Sequence, residues 1–228
     1  MKRIKITLLL MMGGLVSACG APIVPTNTAP FEATPLSSAN APVEAAAQAI
    51  PAAAPLTDVQ VKAITITVPR SLTVSEANRY LPKGDIVWRG DPIGDRHQQV
   101  ADIFDTAMTR GAQSVNGTLP VSLDITVKRF HALTEKARYS VGGVHNITFE
   151  LTLRDPETGA ALAETREVHA DLDGFGGQQA INADAQGQTQ KVRITDHLAE
   201  VIRQELTRAE GFQNPRLGFV QAMNHQQK

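Results

Sequence analysis

The sequence is short of cysteine, since Cys19 is the single thiol among 228 residues. A lone cysteine cannot close a disulfide within its own chain, so an internal cross-link is excluded. The cysteine stands in the segment LVSACG near the amino terminus, well before the periodic part of the sequence. We therefore expect the fold to depend on its hydrophobic core, and we expect Cys19 to have its role at the amino terminus.

Aromatic residues and unbalanced charge are scarce as well. Aromatic side chains form 4% of the sequence, and the formal net charge is −1. Surfaces that bind nucleic acid need aromatic rings for stacking or clustered Lys and Arg for the phosphates. The composition therefore predicts no nucleic-acid partner.

Residues 1–18 have the layout of a secretory signal. Basic residues at positions 2, 3 and 5 precede an apolar run over residues 6–16, and small residues lead from there to Cys19. The apolar run is shorter than the roughly 20 residues that a membrane-spanning helix needs. We therefore predict that residues 1–18 are a signal peptide, whose removal leaves a more acidic mature chain.

The residues Val16-Ser17-Ala18-Cys19 resemble the lipobox of bacterial lipoproteins. In that family the cysteine sulfur receives a diacylglycerol, cleavage occurs just before the cysteine, and the new amino terminus is acylated. The resemblance implies that acylated Cys19 anchors the protein in the lipid bilayer, on the periplasmic side of the cell envelope. Gly20 rather than Asp follows the cysteine, which in enteric lipoproteins implies the outer membrane. A secretory signal without lipidation is the alternative.

Residues 19–56 contain the predicted lipidated cysteine and a tether. Seven of the 13 prolines lie in this segment, which is otherwise rich in Ala, Thr and Ser and has no Lys or Arg. A segment of this composition cannot bury a hydrophobic core. As a flexible coil it would span about 35 Å, and as polyproline II about 115 Å. A tether that holds a domain away from the membrane and a plain disordered spacer both agree with this composition.

Residues 57–212 are predicted to form one globular domain, followed by a flexible tail over 213–228. Strict alternation predicts a strand over 121–127 and a longer one over 137–154. The alternation keeps its phase through Gly142-Gly143, which favours one strand bent at the glycines; a hairpin at this pair is the competing interpretation. A further strand is predicted over 162–172, and shorter ones over 64–68 and 85–89.

Two amphipathic helices are predicted, the first over 96–110 and the second over 194–209. Asp91-Pro92 or Asp95 is expected to begin the first helix, and Gly211 followed by Phe212 to end the second in a Schellman motif. The segment 178–188 is expected to be a long polar loop. The order β-β-α-β-β-β-α predicts an α+β fold, namely a two-layer sandwich in which two helices pack on a mainly antiparallel sheet.

This layout, with its signal and tether, is similar to that of several periplasmic lipoprotein families. They include the lipoprotein activators of peptidoglycan synthases, the curli-secretion-type domain, the amino-terminal domain of TolB, and auxiliary lipoproteins of lipid-transport systems. The resemblance lies in the order of elements and implies an uncharacterised envelope lipoprotein.

The densest polar stretch of the sequence runs from Trp88 to His97. It joins a predicted strand to a predicted helix and also contains Arg89, Asp91, Asp95 and Arg96. One interpretation is a ligand or partner loop anchored by Trp88, with Phe175 as a further contact. The simpler interpretation, which we favour, is that an aspartate caps the helix, the arginines are solvated and Trp88 packs in the core. For Phe175, partner contact and core packing both stay open.

The sequence carries no motif for a metal, a cofactor or a nucleophile. The 6 histidines are widely spaced, and neither G-x-S-x-G nor S-x-x-K occurs. His145 falls in phase with the apolar face of its predicted strand, which favours a buried, hydrogen-bonded histidine over a metal ligand. No cofactor is therefore predicted.

Three functions agree with these observations. The first, which we favour, is a non-enzymatic accessory or binding module that contacts another envelope protein in a transport, secretion or wall-synthesis assembly. The second is a periplasmic hydrolase with a site near Asp91, Asp95, Arg96 and His97. The third is a carrier of a small molecule or lipid, which requires a cavity between the sheet and the helices.

Overall fold

The computed structural model describes residues 56–215. Its strands are β1 (Val59–Thr67), β2 (Ile86–Val87), β3 (Leu119–His131), β4 (Gly143–Arg154), β5 (Arg166–His169) and β6 (Leu172–Gly174). Its helices are α1 (Arg96–Ala112), α2 (Glu135–Arg138), α3 (Gly177–Ala185) and α4 (Gln190–Thr207). The predicted signal peptide, Cys19 and the tether up to residue 55 lie outside the described residues. Within residues 56–215, every helix is too short or too polar to cross a membrane.

The strands form an open six-stranded sheet with β3 and β4 at its centre. β3 runs antiparallel to β4, and β4 runs antiparallel to β5 and β6. β1 and β2 pair with β3 in the parallel sense. The predicted α+β class is confirmed. Its sheet is mixed because β1 and β2 join it in parallel, and four helices rather than two accompany it.

One face of the sheet carries the core. Alternate residues of β3 from Val121 to Val127 are buried, while those between them are partly exposed. α1 and α4 pack against each other and contribute buried apolar side chains to the same core. Phe104 of α1 meets Phe149 of β4 edge-on, with ring centroids 5.5 Å apart. The predicted two-layer arrangement therefore follows from the period-2 pattern of the strands and the apolar stripes of these two helices.

The predicted long strand over 137–154 is wrong in its first part. Residues 135–138 form α2, which begins because the hydroxyl of Thr134 accepts a hydrogen bond of 3.3 Å from the N–H of Ala137. Gly142 has a φ of +71°, which turns the chain before β4 begins. Tyr139 and Val141, which alternation assigned to the buried face of a strand, are exposed.

The predicted strand over 162–172 is replaced by β5 and β6, which continue each other along β4. The two are interrupted at Asp171, whose Oδ1 accepts a hydrogen bond of 3.0 Å from the N–H of Ile147. The carboxylate thus takes the place of a backbone carbonyl in the ladder. The predicted polar loop over 178–188 is also wrong in part, since most of it belongs to α3.

The carboxyl end of α4 differs from the predicted Schellman motif. Arg208 is extended, with φ −115° and ψ 138°, so the helix ends at Thr207 before Gly211 is reached. The chain is instead held by Glu205, which accepts a hydrogen bond of 2.8 Å from the N–H of Phe212. Of the predicted tail, residues 213–215 are described. Within them Asn214 is buried and donates a hydrogen bond of 3.0 Å to the carbonyl oxygen of His169.

Candidate functional site

The loop from Trp88 to His97 joins β2 to α1, and Asp95 caps α1 as predicted. Oδ1 of Asp95 accepts hydrogen bonds from the N–H groups of His97 and Gln98 at 3.0 and 3.2 Å. Arg70 binds the same carboxylate with N–O distances of 2.8 and 2.9 Å. The hydrogen bond from Arg70 and those from the backbone lower the pKa of Asp95 to about 2. Asp95 is therefore ionised at neutral pH and engaged by its neighbours.

Trp88 and Asp91 form a hydrogen-bonded pair beneath this loop. Trp88 is fully buried, which confirms its predicted place in the core. Its Nε1 donates to Oδ2 of Asp91 at 2.8 Å, and Lys191 of α4 binds both carboxylate oxygens at 2.8 and 3.0 Å. Burial raises the pKa of Asp91, but the hydrogen bonds from Lys191 and Trp88 outweigh burial, so the net shift of this pKa is downward. Asp91 thereby links the loop to α4.

Arg96 is buried, so its predicted solvation is wrong. Its Nε and Nη2 donate to the two carboxylate oxygens of Glu76 at 2.6 and 3.1 Å. Its Nη1 donates to the carbonyl oxygens of Asp91 and Pro92, both at 3.1 Å, and to Oε1 of Gln99 at 2.6 Å. A guanidinium can be buried only when its donors are paired in this way. Arg96 therefore fixes the shape of the loop.

Arg89 and His97 complete the network. Nε of Arg89 forms a salt bridge with Glu135 of α2, and its Nη1 donates to the carbonyl oxygen of Glu76 at 2.8 Å. Nε2 of His97 lies 3.1 Å from the carbonyl oxygen of Leu72. The loop residues are thus brought together, but each is bound to protein groups. Such an arrangement holds the loop, α2 and α4 in a fixed relation. Within residues 56–215, no group of three or more His, Cys, Asp or Glu side chains is placed to hold a metal ion.

An exposed apolar surface lies beside this network. It is formed by residues 80–81, by residues 139–141 after α2, and by α3. Leu81 is 89% exposed and Val141 is 76% exposed, and three further large apolar side chains are close to half exposed. We call this the distal surface, and it consists of Tyr80, Leu81, Tyr139, Val141 and Ile181.

Hydrogen bonds and ring contacts hold the parts of the distal surface together. The backbone N–H of Lys136 in α2 donates a hydrogen bond to Oδ1 of Asn78 at 2.8 Å. The side-chain ammonium of Lys136 lies 4.8 Å from the ring centroid of Tyr80. The hydroxyl of Tyr139 donates to Oδ2 of Asp184 in α3 at 3.2 Å. Ile181 precedes Asp184 by three residues and shares its face of α3. The surface is therefore formed in the unbound protein.

Basic side chains border the distal surface. Arg79, Lys83 and Lys136 are exposed, and none of the three forms a salt bridge within residues 56–215. Two nearby acids are neutralised internally, Glu135 by Arg89 and Asp184 by Arg138. The surface thus combines apolar and aromatic side chains with an excess of positive charge.

The distal surface lies at the end of the sheet opposite the point where the chain enters it. Val59 pairs with Leu119 at the start of β3. His131, at the end of β3, pairs with Val87 and Asn146, close to the loop and to α2. At about 3.3 Å per residue, β3 separates the two ends by about 40 Å.

Sequence reasoning missed the distal surface because it assigned Tyr139 and Val141 to a strand. The available signal was Thr134 followed by Glu135, a common start of a helix. Phe175, whose role was left open, is half-buried, and the guanidinium carbon of Arg193 lies 3.4 Å from its ring centroid.

The comparison with protein families gives a clear assignment. Residues 59–222 match the model of a family of unknown function, DUF6778, so the chain belongs to that family. The curated proteins contain no match to this chain.

Three solved structures show a distant likeness to the chain. A candidate lipoprotein from Caulobacter crescentus CB15 is 12% identical, with a TM-score of 0.32, and the match covers 67% of this chain and 90% of that one. A Xanthomonas campestris protein of family DUF330 is 10% identical over 74% and 88% of the two chains, with a TM-score of 0.39. The PelC dodecamer from Paraburkholderia phytofirmans is 14% identical over 69% and 91%, with a TM-score of 0.32.

Proposed function

We propose that this protein is a lipid-anchored, non-enzymatic module of the cell envelope that binds another envelope protein through its distal surface. Acylated Cys19 holds it in the bilayer, and Gly20 after the cysteine favours the outer membrane. Residues 19–56 serve as the tether. The partner belongs to a transport, secretion or wall-synthesis assembly.

The observation that carries this proposal is the exposure of Leu81 and Val141 beside the two tyrosines of the distal surface. Contiguous apolar patches on soluble domains mark interaction sites more often than they are incidental. Tyrosine is enriched at the centres of protein interfaces, because it offers a large rigid apolar area with a polar tip. Isolated exposed apolar residues would need no such explanation, but these belong to segments that hydrogen bonds and a ring contact join to one another.

The network around Arg96 supports a binding role rather than a catalytic one. A general acid requires a raised pKa and an open approach for substrate. Asp91 and Asp95 have lowered pKa values and are bound by Lys191 and Arg70. The same contacts make the adjoining surface rigid, and a preorganised surface loses less entropy when it binds.

Charge and position indicate the kind of partner. Arg79, Lys83 and Lys136 favour an acidic rim around the partner's apolar contact, which would also accelerate association. The predicted tether joins the opposite end of the sheet, so its point of attachment does not cover the distal surface.

The test is cross-linking in living cells with a photoreactive amino acid at Leu81, and a matched one at Asp105 on the exposed face of α1. We expect one protein to be captured through Leu81 and not through Asp105. Binding of that purified protein should weaken at least tenfold with Lys136→Glu, and should weaken as the salt concentration rises. Equal capture at both positions, or affinity indifferent to Lys136→Glu and to salt, would contradict the proposal.

A further inference from the structure

A small cavity lies beneath α3, away from the network around Arg96. Its lining includes Leu133, Arg138, His145, Phe175, Gln190 and Arg193. The enclosed part measures about 10 Å³, which is room for one oxygen-sized group. Apolar and polar side chains both contribute to the walls, so the cavity can select for a particular arrangement of hydrogen-bonding groups.

His145 supplies a hydrogen-bond donor to this cavity. It is 1% exposed, and its Nδ1 accepts a hydrogen bond of 3.2 Å from the N–H of Leu133. Burial and the nearby arginines lower its pKa to about 3, so the ring is neutral at physiological pH. A neutral ring whose Nδ1 accepts must carry its proton on Nε2. No acceptor for this proton is found among the described residues.

Gln190 supplies an acceptor. This first residue of α4 is 3% exposed, and its Oε1 is buried without a hydrogen-bond partner in the described part of the chain. A buried carbonyl without a partner destabilises the fold, because its hydrogen bonds to water are lost and not replaced. The site therefore holds an unsatisfied acceptor and an unsatisfied donor at once.

Arg193 supplies a positive charge. Its guanidinium stacks on Phe175, and Nη2 donates to the carbonyl oxygen of Asp173 at 2.8 Å. Arg138, the other arginine of the lining, is neutralised by Asp184. Arg193 forms no salt bridge with a carboxylate within residues 56–215, so its charge is available to an anionic ligand.

We propose that this cavity binds a small hydroxy-carboxylate. The hydroxyl oxygen of the ligand occupies the enclosed space, accepts a hydrogen bond from Nε2 of His145 and donates its own proton to Oε1 of Gln190. The carboxylate binds the guanidinium of Arg193, and the short carbon chain packs against Leu133 and Phe175. One hydroxyl group thereby satisfies both groups, whereas a carboxylate oxygen in its place could accept from His145 but has no proton to donate to Gln190.

α3 covers this site. Of its residues only Ala180 is buried, and Asp184 ties the helix to Arg138 and Tyr139. Gly177 and Gly187, at the two ends of α3, have φ values of +52° and +75°. Glycine adopts this left-handed conformation without strain, so the chain can turn sharply at both ends of the helix.

The test compares lactate with propionate, which has the same carbon skeleton without the hydroxyl group. Calorimetric titration of the full chain should give an affinity for lactate about tenfold higher, the ordinary contribution of a satisfied hydrogen bond. Gln190→Leu should abolish the preference for lactate. It should also leave the melting temperature without ligand equal or higher, because it removes an unpaired buried acceptor. Arg193→Met should abolish the binding of both acids.

Gln113→Leu is the matched control, since Gln113 is exposed at the end of α1, and it should bind both acids like the wild type. Failure of the wild-type protein to bind lactate, or equal affinity for both acids, would overturn the proposal and leave only a water in the cavity. A preference for lactate that survives Gln190→Leu would overturn it as well.

Discussion

The indole of Trp88 donates a hydrogen bond of 2.8 Å to the carboxylate of Asp91, which in turn holds Lys191 of α4. Asp91→Ala leaves the buried indole N–H unpaired and removes the ion pair. We expect the free energy of unfolding to fall by about 2 to 3 kcal/mol. Urea denaturation monitored by the fluorescence of Trp88, the single tryptophan, measures this change.

Asp91→Asn keeps an acceptor for the indole and loses only the charge, so a smaller loss of about 1 kcal/mol is expected. Asp105→Ala, on the exposed face of α1, should change stability by less than about 0.5 kcal/mol. A loss for Asp91→Ala no larger than that for Asp105→Ala would show that the buried hydrogen bond contributes nothing.

The close approach of α1 and α4 depends on Gly111. A Cβ at this position would lie 2.2 Å from the carbonyl oxygen of Ala199 and 2.4 Å from Cγ2 of Ile202. Gly111→Ala should therefore destabilise the protein by about 2 kcal/mol or more, because the helices must move apart. Thermal unfolding gives the comparison with Gly94→Ala, where the nearest atom is Nε2 of Gln99 at 3.1 Å, the movable end of a side chain. Equal melting temperatures for the two variants would refute the tight helix contact.

The burial of His145 makes stability depend on pH. Its pKa is lowered from 6.5 to about 3. Between these pH values His145 is protonated in the unfolded chain but neutral in the folded protein. Above pH 6.5 His145 is neutral in both states and does not change the free energy of unfolding. Below pH 6.5 this free energy falls by about 1.4 kcal/mol per pH unit because of this residue. In His145→Gln this contribution disappears. Urea denaturation at pH 4, 5, 6 and 7 should give a shallower slope for the variant, and parallel curves would be inconsistent with a neutral buried imidazole.

Lipidation is tested at Cys19 itself. Cys19→Ser should abolish labelling by radioactive palmitate and release the protein from membranes, because each buried acyl CH₂ contributes about 0.8 kcal/mol of anchoring. Gly20→Ser keeps the cysteine and should remain labelled and sedimentable. Labelling of Cys19→Ser would refute the lipobox interpretation.

The parts of the fold that depend on local pattern were predictable from the sequence. The alternation of apolar residues in β3 predicts the buried face that includes Val121 and Leu123. The apolar stripe of α1 predicts in the same way that Phe104 faces the core. Asp95 was predictable as a cap, since capping uses neighbouring residues. These features concern residues a few positions apart.

The parts that depend on distant partners were not predictable. Arg96 can be buried because Glu76 and the carbonyl oxygen of Asp91 accept its hydrogen bonds. No spacing in the sequence predicts these contacts. Residues 137–142 alternate like a strand, but the Thr134 cap and the turn at Gly142 override the pattern. The parallel pairing of β1 with β3 was likewise not predictable, because apolar and polar residues alternate in the same way in parallel and antiparallel edge strands.

That parallel pairing has a consequence for the order of folding. Val59 can pair with Leu119 only after the intervening segment with β2 and α1 has been synthesised, and closing so long a loop is slow. We therefore expect β1, the first of the described strands to be synthesised, to be among the last to pair.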